Sequence, residues 1–265
     1  MVLDGAPFGF NYASASNAGP PGEDELRAIL DLAERHGVTH IDTAAGYGDS
    51  EHRIGSALAP DSRLAIVTRL PPNLLDGHPP AHEAEQRVQV AVDRSLWLLE
   101  RQRLDAVLVH RFEHYGGPES AVWRTLLALK AEGKMGRIGA AIERPAELLA
   151  LLRNPDVGLV QILVDILDRG WLEPEIQGAI AARPDVVLHG RSTVPQDHRL
   201  EAAAKSLGRE SGADLYLACA RAQRWLDGIV VGAETAAQMA DNIRLFGRPA
   251  LSWDEARAAN RRFNP

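Results

Sequence analysis

The sequence predicts a closed barrel of eight parallel β-strands alternating with α-helices, the (β/α)8 or TIM barrel of the α/β class. Eight short apolar runs alternate with segments in which apolar residues recur at helical spacing. Runs such as residues 64–68 and 104–109 lack polar alternation, which is typical of strands buried on both faces of a parallel sheet. Eight such units fit a chain of 265 residues. A doubly wound open sheet would need a Gly-x-Gly-x-x-Gly turn after the first strand, and residues 8–12 do not contain one.

Apolar runs place the strands, and helical spacing places the helices between them. Strands are predicted at residues 8–12, 38–41, 64–68, 104–109, 137–142, 159–164, 186–188 and 229–231. Helices are predicted at residues 24–36, 51–58, 83–99, 121–132, 145–152, 173–182, 200–207, 214–225, 236–245 and 253–262. Gly37 ends the first helix, Val88 and Val92 lie on one face of the third, and Pro145 lies in the first turn of the fifth. No linker or change in composition divides the chain, so we expect one domain over residues 1–265.

Composition excludes several classes of function. The formal net charge is −7, and an acidic surface repels phosphate backbones and anionic lipids. We therefore expect a small-molecule substrate rather than nucleic acid or a membrane. The single cysteine, Cys219, excludes an internal disulfide, and no apolar run reaches membrane-spanning length. The N-terminus lacks the basic start and apolar core of a signal peptide, so a cytoplasmic protein is expected. The sequence does not indicate the oligomeric state.

Polar residues gather where the apolar strands end. These are Asp42, Arg69, His110, Gln161 and Arg191, with Tyr47 in a glycine-containing loop after the second strand. Each one has an ordinary structural interpretation, such as a helix cap for the acid or a solvated loop cation for an arginine. Barrel active sites lie at the carboxyl ends of the strands, so the group together predicts a site. The histidines show no two-His helical spacing with a nearby acid, and no metal site is predicted.

The motif Asp42-Thr43-Ala44-x-x-Tyr47-Gly48 resembles the aldo-keto reductases, and the likeness extends through most of the chain. Other segments similar to that family are residues 37–43, 50–58, 104–110 and 134–139, then Gln161, then residues 231–233 followed by Gln238 and Asn242.

The resemblance implies a catalytic group of acid, tyrosine, cation and histidine. Tyr47 would donate a proton to a carbonyl oxygen while hydride arrives from a nicotinamide, and His110 would orient the carbonyl. Asp42 would hold the cation beside the tyrosine, and that cation would lower the tyrosine pKa. The cofactor-binding candidates are Gln161, Arg191, Ser192, Gly232, Glu234, Gln238 and Asn242.

Three departures from the family pattern bear on function. The lysine position holds Arg69, which is forked and always charged and could instead clamp an anion on a substrate. The Gly-x-Ser-Asn segment expected to bind the nicotinamide amide reads Gly139-Ala140-Ala141-Ile142, so Ala141 and Ile142 replace its polar pair. Glu234 stands where basic anchors for a 2′-phosphate are expected, which favours NAD(H) over NADP(H), or no nicotinamide at all.

Three functions are therefore considered. The first is a reductase that uses NAD(P)H on an aldehyde or ketone, with a sugar or secondary metabolite among the candidate substrates. The second is a lyase, dehydratase or isomerase on the same barrel, with Tyr47 as acid–base and Arg69 as anion clamp. The third is a non-catalytic regulatory homologue. The retained Asp42, Tyr47 and His110 favour the first.

Overall fold

Eight parallel strands form a closed barrel, as the sequence predicted. The computed structural model describes residues 1–10, 19–164, 170–191, 198–252 and 255–256. Neighbouring strands pair in chain order from β1 to β8, and β8 closes onto β1. The strands are β1 Val2–Asp4, β2 His40–Asp42, β3 Ala65–Arg69, β4 Leu104–Val109, β5 Met135–Ile142, β6 Leu159–Leu163, β7 Val187–Arg191 and β8 Gly228–Gly232.

Helices follow the strands and cover the outside of the barrel. They are α1 Ala6–Gly9, α2 Glu23–Arg35, α3 Ser50–Ala57, α4 Ala81–Leu98, α5 Ala121–Ala131, α6 Pro145–Leu152, α7 Pro174–Ala181, α8 His198–Ser206, α9 Gly212–Ala222 and α10 Ala236–Phe246. Ser120, Ser211 and Thr235 cap α5, α9 and α10 by accepting a backbone N–H in the first turn. Among the described residues, no helix is long and apolar enough to cross a membrane. Most of the helix predicted at residues 253–262 lies outside the described residues.

The predicted first strand, residues 8–12, is wrong. The first strand is Val2–Asp4, whereas Phe8 and Gly9 belong to α1, and residues 11 and 12 lie outside the described part. Pro7 at the start of α1 sets a helical φ and ends the extended segment. The correction matters because it puts an acid, Asp4, at the carboxyl end of β1.

Side chains alternate between the barrel interior and the helix layer, because successive residues of a strand point to opposite faces. Val67, Ala106, Leu108 and Leu159 form a small apolar cluster, separate from the large cluster that holds Ile66, Val107 and the helix residues. Arg69 follows Val67 by two residues, and Gln161 follows Leu159 by two residues. Each polar side chain therefore lies on the same strand face as the apolar one before it. The interior therefore carries a polar layer above an apolar one, at the end where the strands finish.

Candidate active site

Three side chains at the carboxyl ends of β2 and β3 are joined through one guanidinium. Arg69 Nη2 donates to Asp42 Oδ2 at 3.1 Å and also to the Tyr47 hydroxyl oxygen. The Arg69 guanidinium carbon lies 4.7 Å from the Tyr47 ring centroid. Arg69 and Asp42 are 2% and 1% exposed. A buried cation therefore contacts both the acid and the phenol, as the strand-end residues suggested.

Gln161 completes the hydrogen bonding of Asp42 from across the barrel. Its Nε2 donates to Asp42 Oδ1 at 2.6 Å, so both carboxylate oxygens of Asp42 accept a hydrogen bond. Gln161 lies in the middle of β6 rather than at its end, and it points into the interior. Its Oε1 is buried without a hydrogen-bond partner. A buried acceptor without a partner costs free energy, and a ligand N–H could satisfy it.

The Tyr47 loop is held against the start of the chain. The Tyr47 N–H donates to Ala44 O at 2.9 Å, and the Tyr47 carbonyl accepts from the Ser50 N–H at 3.0 Å. The Ser50 hydroxyl donates to Gly5 O at 2.7 Å, which ties α3 to the end of β1. A Cβ at Gly9 would overlap the Tyr47 carbonyl, so only glycine permits this close approach. The loop therefore depends on α1, which sequence reasoning had misplaced.

The expectation that Tyr47 becomes more acidic than a free phenol is wrong. Burial raises the pKa of Tyr47 to about 12, and the negative charges of Asp4 and Asp42 add to that increase. Arg69 lowers the pKa, as predicted, but by less than burial raises it. Removal of the phenol from water disfavours the phenolate more than one shared cation favours it. Tyr47 therefore carries its proton throughout the neutral range.

His110 and Arg191 line one cavity of about 700 Å³ at the mouth of the barrel, together with Ala141 and Ile142. Burial and the positive charges of Arg69 and Arg191 lower the pKa of His110 to about 4. The imidazole is therefore neutral at pH 7 and offers one N–H and one lone pair. A Cβ built on Gly46 would lie 3.7 Å from His110 Cε1, so the Tyr47 loop borders His110.

Asp4 is a site residue that the sequence analysis missed. It ends β1 in register with Asp42 and Gly232, and its Oδ1 accepts from the Ala6 N–H at 2.9 Å. Burial and the negative charge of Asp42 raise the pKa of Asp4 to about 6. The available signal was weak, since only a three-residue apolar run, Met1 to Leu3, precedes the acid.

The segment after β8 carries most of the remaining cofactor candidates. Asn242 Nδ2 donates to Gly232 O at 2.9 Å, and the Glu234 N–H donates to Gln238 Oε1 at 2.6 Å. Gln238 is exposed and Asn242 is partly exposed. Glu234, Gln238 and Asn242 are not among the described residues that line the cavity. Ser192 lies outside the described residues.

The sequence profile of the aldo/keto reductase family matches residues 9–162, which is more than half of the chain. The chain belongs to the aldo/keto reductase family. The matched segment contains Asp42, Tyr47, Arg69, His110 and Gln161. Family membership supports an oxidoreductase. Among curated proteins, none matches the sequence.

Solved structures show the same barrel in other family members. The holo form of the aldo-keto reductase AKR11C1 from Bacillus halodurans is 18% identical, with a TM-score of 0.76, and the match covers 98% of this chain and 91% of that chain. Its apo form is 20% identical with a TM-score of 0.68, covering 91% and 87%. A Pseudomonas aeruginosa protein described as belonging to the same family is 22% identical with a TM-score of 0.68, covering 92% and 88%. These likenesses concern the fold.

One buried acceptor among the described residues, Gln161 Oε1, is a candidate partner for a nicotinamide carboxamide. The unpartnered Gln161 Oε1 can accept from a carboxamide N–H, and Gln161 lies in register with Ala141, which lines the cavity. Ala141 and Ile142 offer no polar side chain there, so Gln161 is the candidate for the amide among the residues that the structure describes. Glu234, Gln238 and Asn242 would hold the nucleoside end.

Proposed function

We propose that this aldo/keto reductase reduces an aldehyde or ketone of a small molecule, with Tyr47 as the proton donor. The observation that supports this most is the Tyr47 hydroxyl bound to the buried guanidinium of Arg69. Gly46 of the same loop borders His110, which lines the cavity. When bound, NADH or NADPH supplies the hydride. The chain's own residues then position the carbonyl and deliver the proton.

The high pKa of Tyr47 suits reduction. A phenol with a pKa of about 12 stays protonated at neutral pH, so the proton is available when the reaction needs it. Hydride addition turns the carbonyl oxygen into an alkoxide, which is a stronger base than a phenolate. Proton transfer from Tyr47 to that oxygen is therefore downhill. The reverse reaction needs the phenolate and is favoured only at alkaline pH.

Arg69 and His110 have separate tasks in this proposal. The guanidinium stabilises the phenolate left on Tyr47, since a neighbouring cation favours the charged form. Asp42 and Gln161 fix the guanidinium and hold its plane against the Tyr47 ring. The neutral His110 donates one N–H to the carbonyl oxygen and orients it.

The test of this function is nicotinamide binding with turnover. Fluorescence or calorimetric titration should show NADH binding, and a panel of aldehydes and ketones should oxidise NADH at a measurable rate. The Tyr47→Phe variant should bind NADH as the wild type does and turn over at least about a hundredfold more slowly. NADH binding without any carbonyl reduction in the wild type would overturn the proposal.

Cofactor preference is a second part of the proposal. Glu234 repels a 2′-phosphate and can accept from a ribose hydroxyl, so NADH should bind more tightly than NADPH. The Glu234→Lys variant should shift the preference towards NADPH by about tenfold or more. Glu119→Lys makes the same charge change at an exposed loop residue and serves as the control. If the ratio of NADH affinity to NADPH affinity is unchanged in Glu234→Lys, this part of the proposal is wrong.

One observation favours a second candidate, a lyase, dehydratase or isomerase that needs no nicotinamide. Among the described residues, Gln161 Oε1 is the one candidate partner for the carboxamide, because Ala141 and Ile142 replace the expected polar pair. Arg69 is a poor anion clamp for such an enzyme, since it is 2% exposed and already contacts Asp42 and Tyr47. Absence of NADH and NADPH binding, with a cofactor-free reaction lost in Tyr47→Phe, would support this candidate.

A further inference from the structure

Arg191 lies at the cavity, and its guanidinium lacks a full set of hydrogen-bond partners among the described residues. It ends β7, its side chain is 28% exposed, and it lines the cavity with His110. Its Nε is buried and has no hydrogen-bond partner among the residues that the structure describes. Its ion pair with a described acid, Glu143, has an Nη2–Oε1 distance of 3.8 Å, which is too long for a hydrogen bond. The guanidinium therefore has donors to spare for a ligand.

The other described charges around this cavity are paired or lie at its rim. Arg144 donates to Glu147 at 2.7 Å through Nε and contacts it at 2.6 Å through Nη2. Glu147 also accepts from the backbone N–H groups of Glu143 and Arg144, so its carboxylate is satisfied. Arg111 and Glu113 are exposed. His110 is uncharged at neutral pH, which leaves Arg191 as the half-buried charge beside the candidate catalytic histidine.

The electrostatics of the interior agree with this placement. The positive charge of Arg191 lowers the pKa of His110, and it also opposes the raised pKa values of Asp4 and Asp42. Asp42 is already paired with Arg69 and Gln161. Asp4 accepts from the Ala6 N–H, and no contact within 4 Å joins it to Arg191 among the described residues. Arg191 therefore acts on these groups at a distance while its own donors stay open.

We propose that Arg191 binds the carboxylate of the substrate, so that the enzyme acts on short oxo acids carrying a carbonyl and a carboxylate. This inference rests on the reductase function proposed above. A guanidinium presents paired N–H donors that match a carboxylate, and the substrate carboxylate would replace Glu143 as its partner. A cavity of about 700 Å³ holds a short acid. The hydride goes to the carbonyl carbon, the Tyr47 proton goes to the carbonyl oxygen, and the carboxylate is unchanged.

A matched pair of substrates tests the clamp. The probes are 4-oxobutanoate and butanal, which share a chain length and an aldehyde and differ in the carboxylate. We expect wild-type kcat/KM to be about ten- to a hundredfold higher for the acid, mainly through KM. Arg191→Met should bring the ratio of kcat/KM for the acid to kcat/KM for butanal down to about one, and this ratio, rather than either value alone, is the readout. Arg124→Met, which removes an exposed cation on α5, should keep the preference.

Glu143→Gln gives an independent measurement that does not depend on the folding of the Arg191 variant. Removal of the competing carboxylate should lower KM for 4-oxobutanoate by about two- to fivefold and leave KM for butanal unchanged. Equal kcat/KM for both aldehydes in the wild type, unaltered by Arg191→Met, would overturn the clamp but keep the reductase. A rise in KM for NADH in Arg191→Met, with equal losses of kcat/KM for both aldehydes, would show that Arg191 contacts the nucleotide. That result would also overturn the carboxylate clamp. Failure to reduce either aldehyde, or any carbonyl of the panel, would instead remove the reductase function itself.

Discussion

At the residue scale, the main chemical departure from the pattern that the family resemblance implies is Arg69, which stands where a lysine was expected. One guanidinium nitrogen contacts both Asp42 and Tyr47, and the contact is buried. An arginine remains charged at any accessible pH, so it cannot itself pass a proton. The contribution of Arg69 to catalysis is therefore electrostatic. It depends on the positive charge and not on the paired N–H donors of the guanidinium.

The substitution Arg69→Lys tests that account. A lysine ammonium keeps the charge between Asp42 and Tyr47, so kcat should stay within about tenfold of the wild type. Arg69→Met should lower kcat by about a hundredfold or more and reduce the free energy of unfolding by about 3–5 kcal/mol, because Asp42 is left buried without its cation. Steady-state kinetics and urea unfolding measure both effects, with Arg27→Met on the surface of α2 as the control. A collapse of substrate affinity in Arg69→Lys would instead indicate a bidentate clamp.

Asp4 gives a pH-dependent prediction. Its folded-state pKa of about 6 lies above the ordinary value of 3.8, so the folded protein binds the proton more tightly than the unfolded chain does. The free energy of unfolding therefore falls as the pH rises from about 4 to about 6, because Asp4 loses its proton in the folded protein over that range. Asp4→Asn should raise the free energy of unfolding at pH 8 by about 1–2 kcal/mol, and this gain should vanish below pH 4. Urea unfolding at several pH values checks it, and a variant that is less stable at pH 8 would contradict it.

At the element scale, the Tyr47 loop and α1 form one unit. The loop carbonyl of Tyr47 lies so close to Gly9 that no Cβ fits, and Gly48 has a φ of 55°. The Ser50 hydroxyl bonds the Gly5 carbonyl and contacts the Thr43 hydroxyl at 2.9 Å. The four-residue helix α1 thus sets the position of Tyr47, the candidate proton donor.

Gly9→Ala should therefore disturb the site without touching a catalytic candidate. The new methyl must displace the Tyr47 carbonyl, so we expect a loss of about 1–3 kcal/mol in the free energy of unfolding and at least a tenfold loss of kcat. Gly22→Ala is the matched control, because a Cβ there meets nothing within 4 Å. Equal kinetics in the two variants would show that the loop position is not set by α1.

The sequence predicted several strand ends by one rule, that a polar residue follows a short segment rich in aliphatic residues, such as residues 38–41, 64–68 and 186–188. This rule found Asp42, Arg69 and Arg191 at or beside the ends of their strands. It missed Asp4, because Met1 to Leu3 is too short a run at a chain start to stand out from noise. Gln161 was placed at a strand end, although its spacing from Leu159 already puts both side chains on one interior face.

The electrostatics of the site could not be predicted from the same patterns. The effect of Arg69 on Tyr47 was foreseen in direction, but the burial of the phenol was not, and burial decides the outcome. Burial depends on contacts such as the Phe10 ring, whose centroid lies 5.9 Å from that of Tyr47. Such contacts become known only once distant segments are packed together.

At the scale of the whole molecule, barrel closure is what assembles the site. Asp42 and Gln161 are separated by 119 positions, yet they share a hydrogen bond of 2.6 Å across the interior. The two ends of the sheet meet where β8 pairs with β1, which places Gly232 beside Asp4 and the segment after β8 near the mouth. One parallel barrel therefore brings Asp4, Asp42, Arg69 and Arg191 to the same end of the barrel, where their strands finish.

The central claim is that Tyr47, a phenol protonated at neutral pH, hands its proton to the reduced carbonyl. The most direct measurement is kcat/KM for NADH-dependent aldehyde reduction between pH 7 and pH 10, in the wild type and in Tyr47→Phe. The wild-type profile should be flat, because neither Tyr47, with a pKa of about 12, nor His110, with a pKa of about 4, titrates in that range. Tyr47→Phe should be about a hundred- to ten-thousandfold slower at every pH. A Tyr47→Phe enzyme within threefold of the wild type would contradict the account.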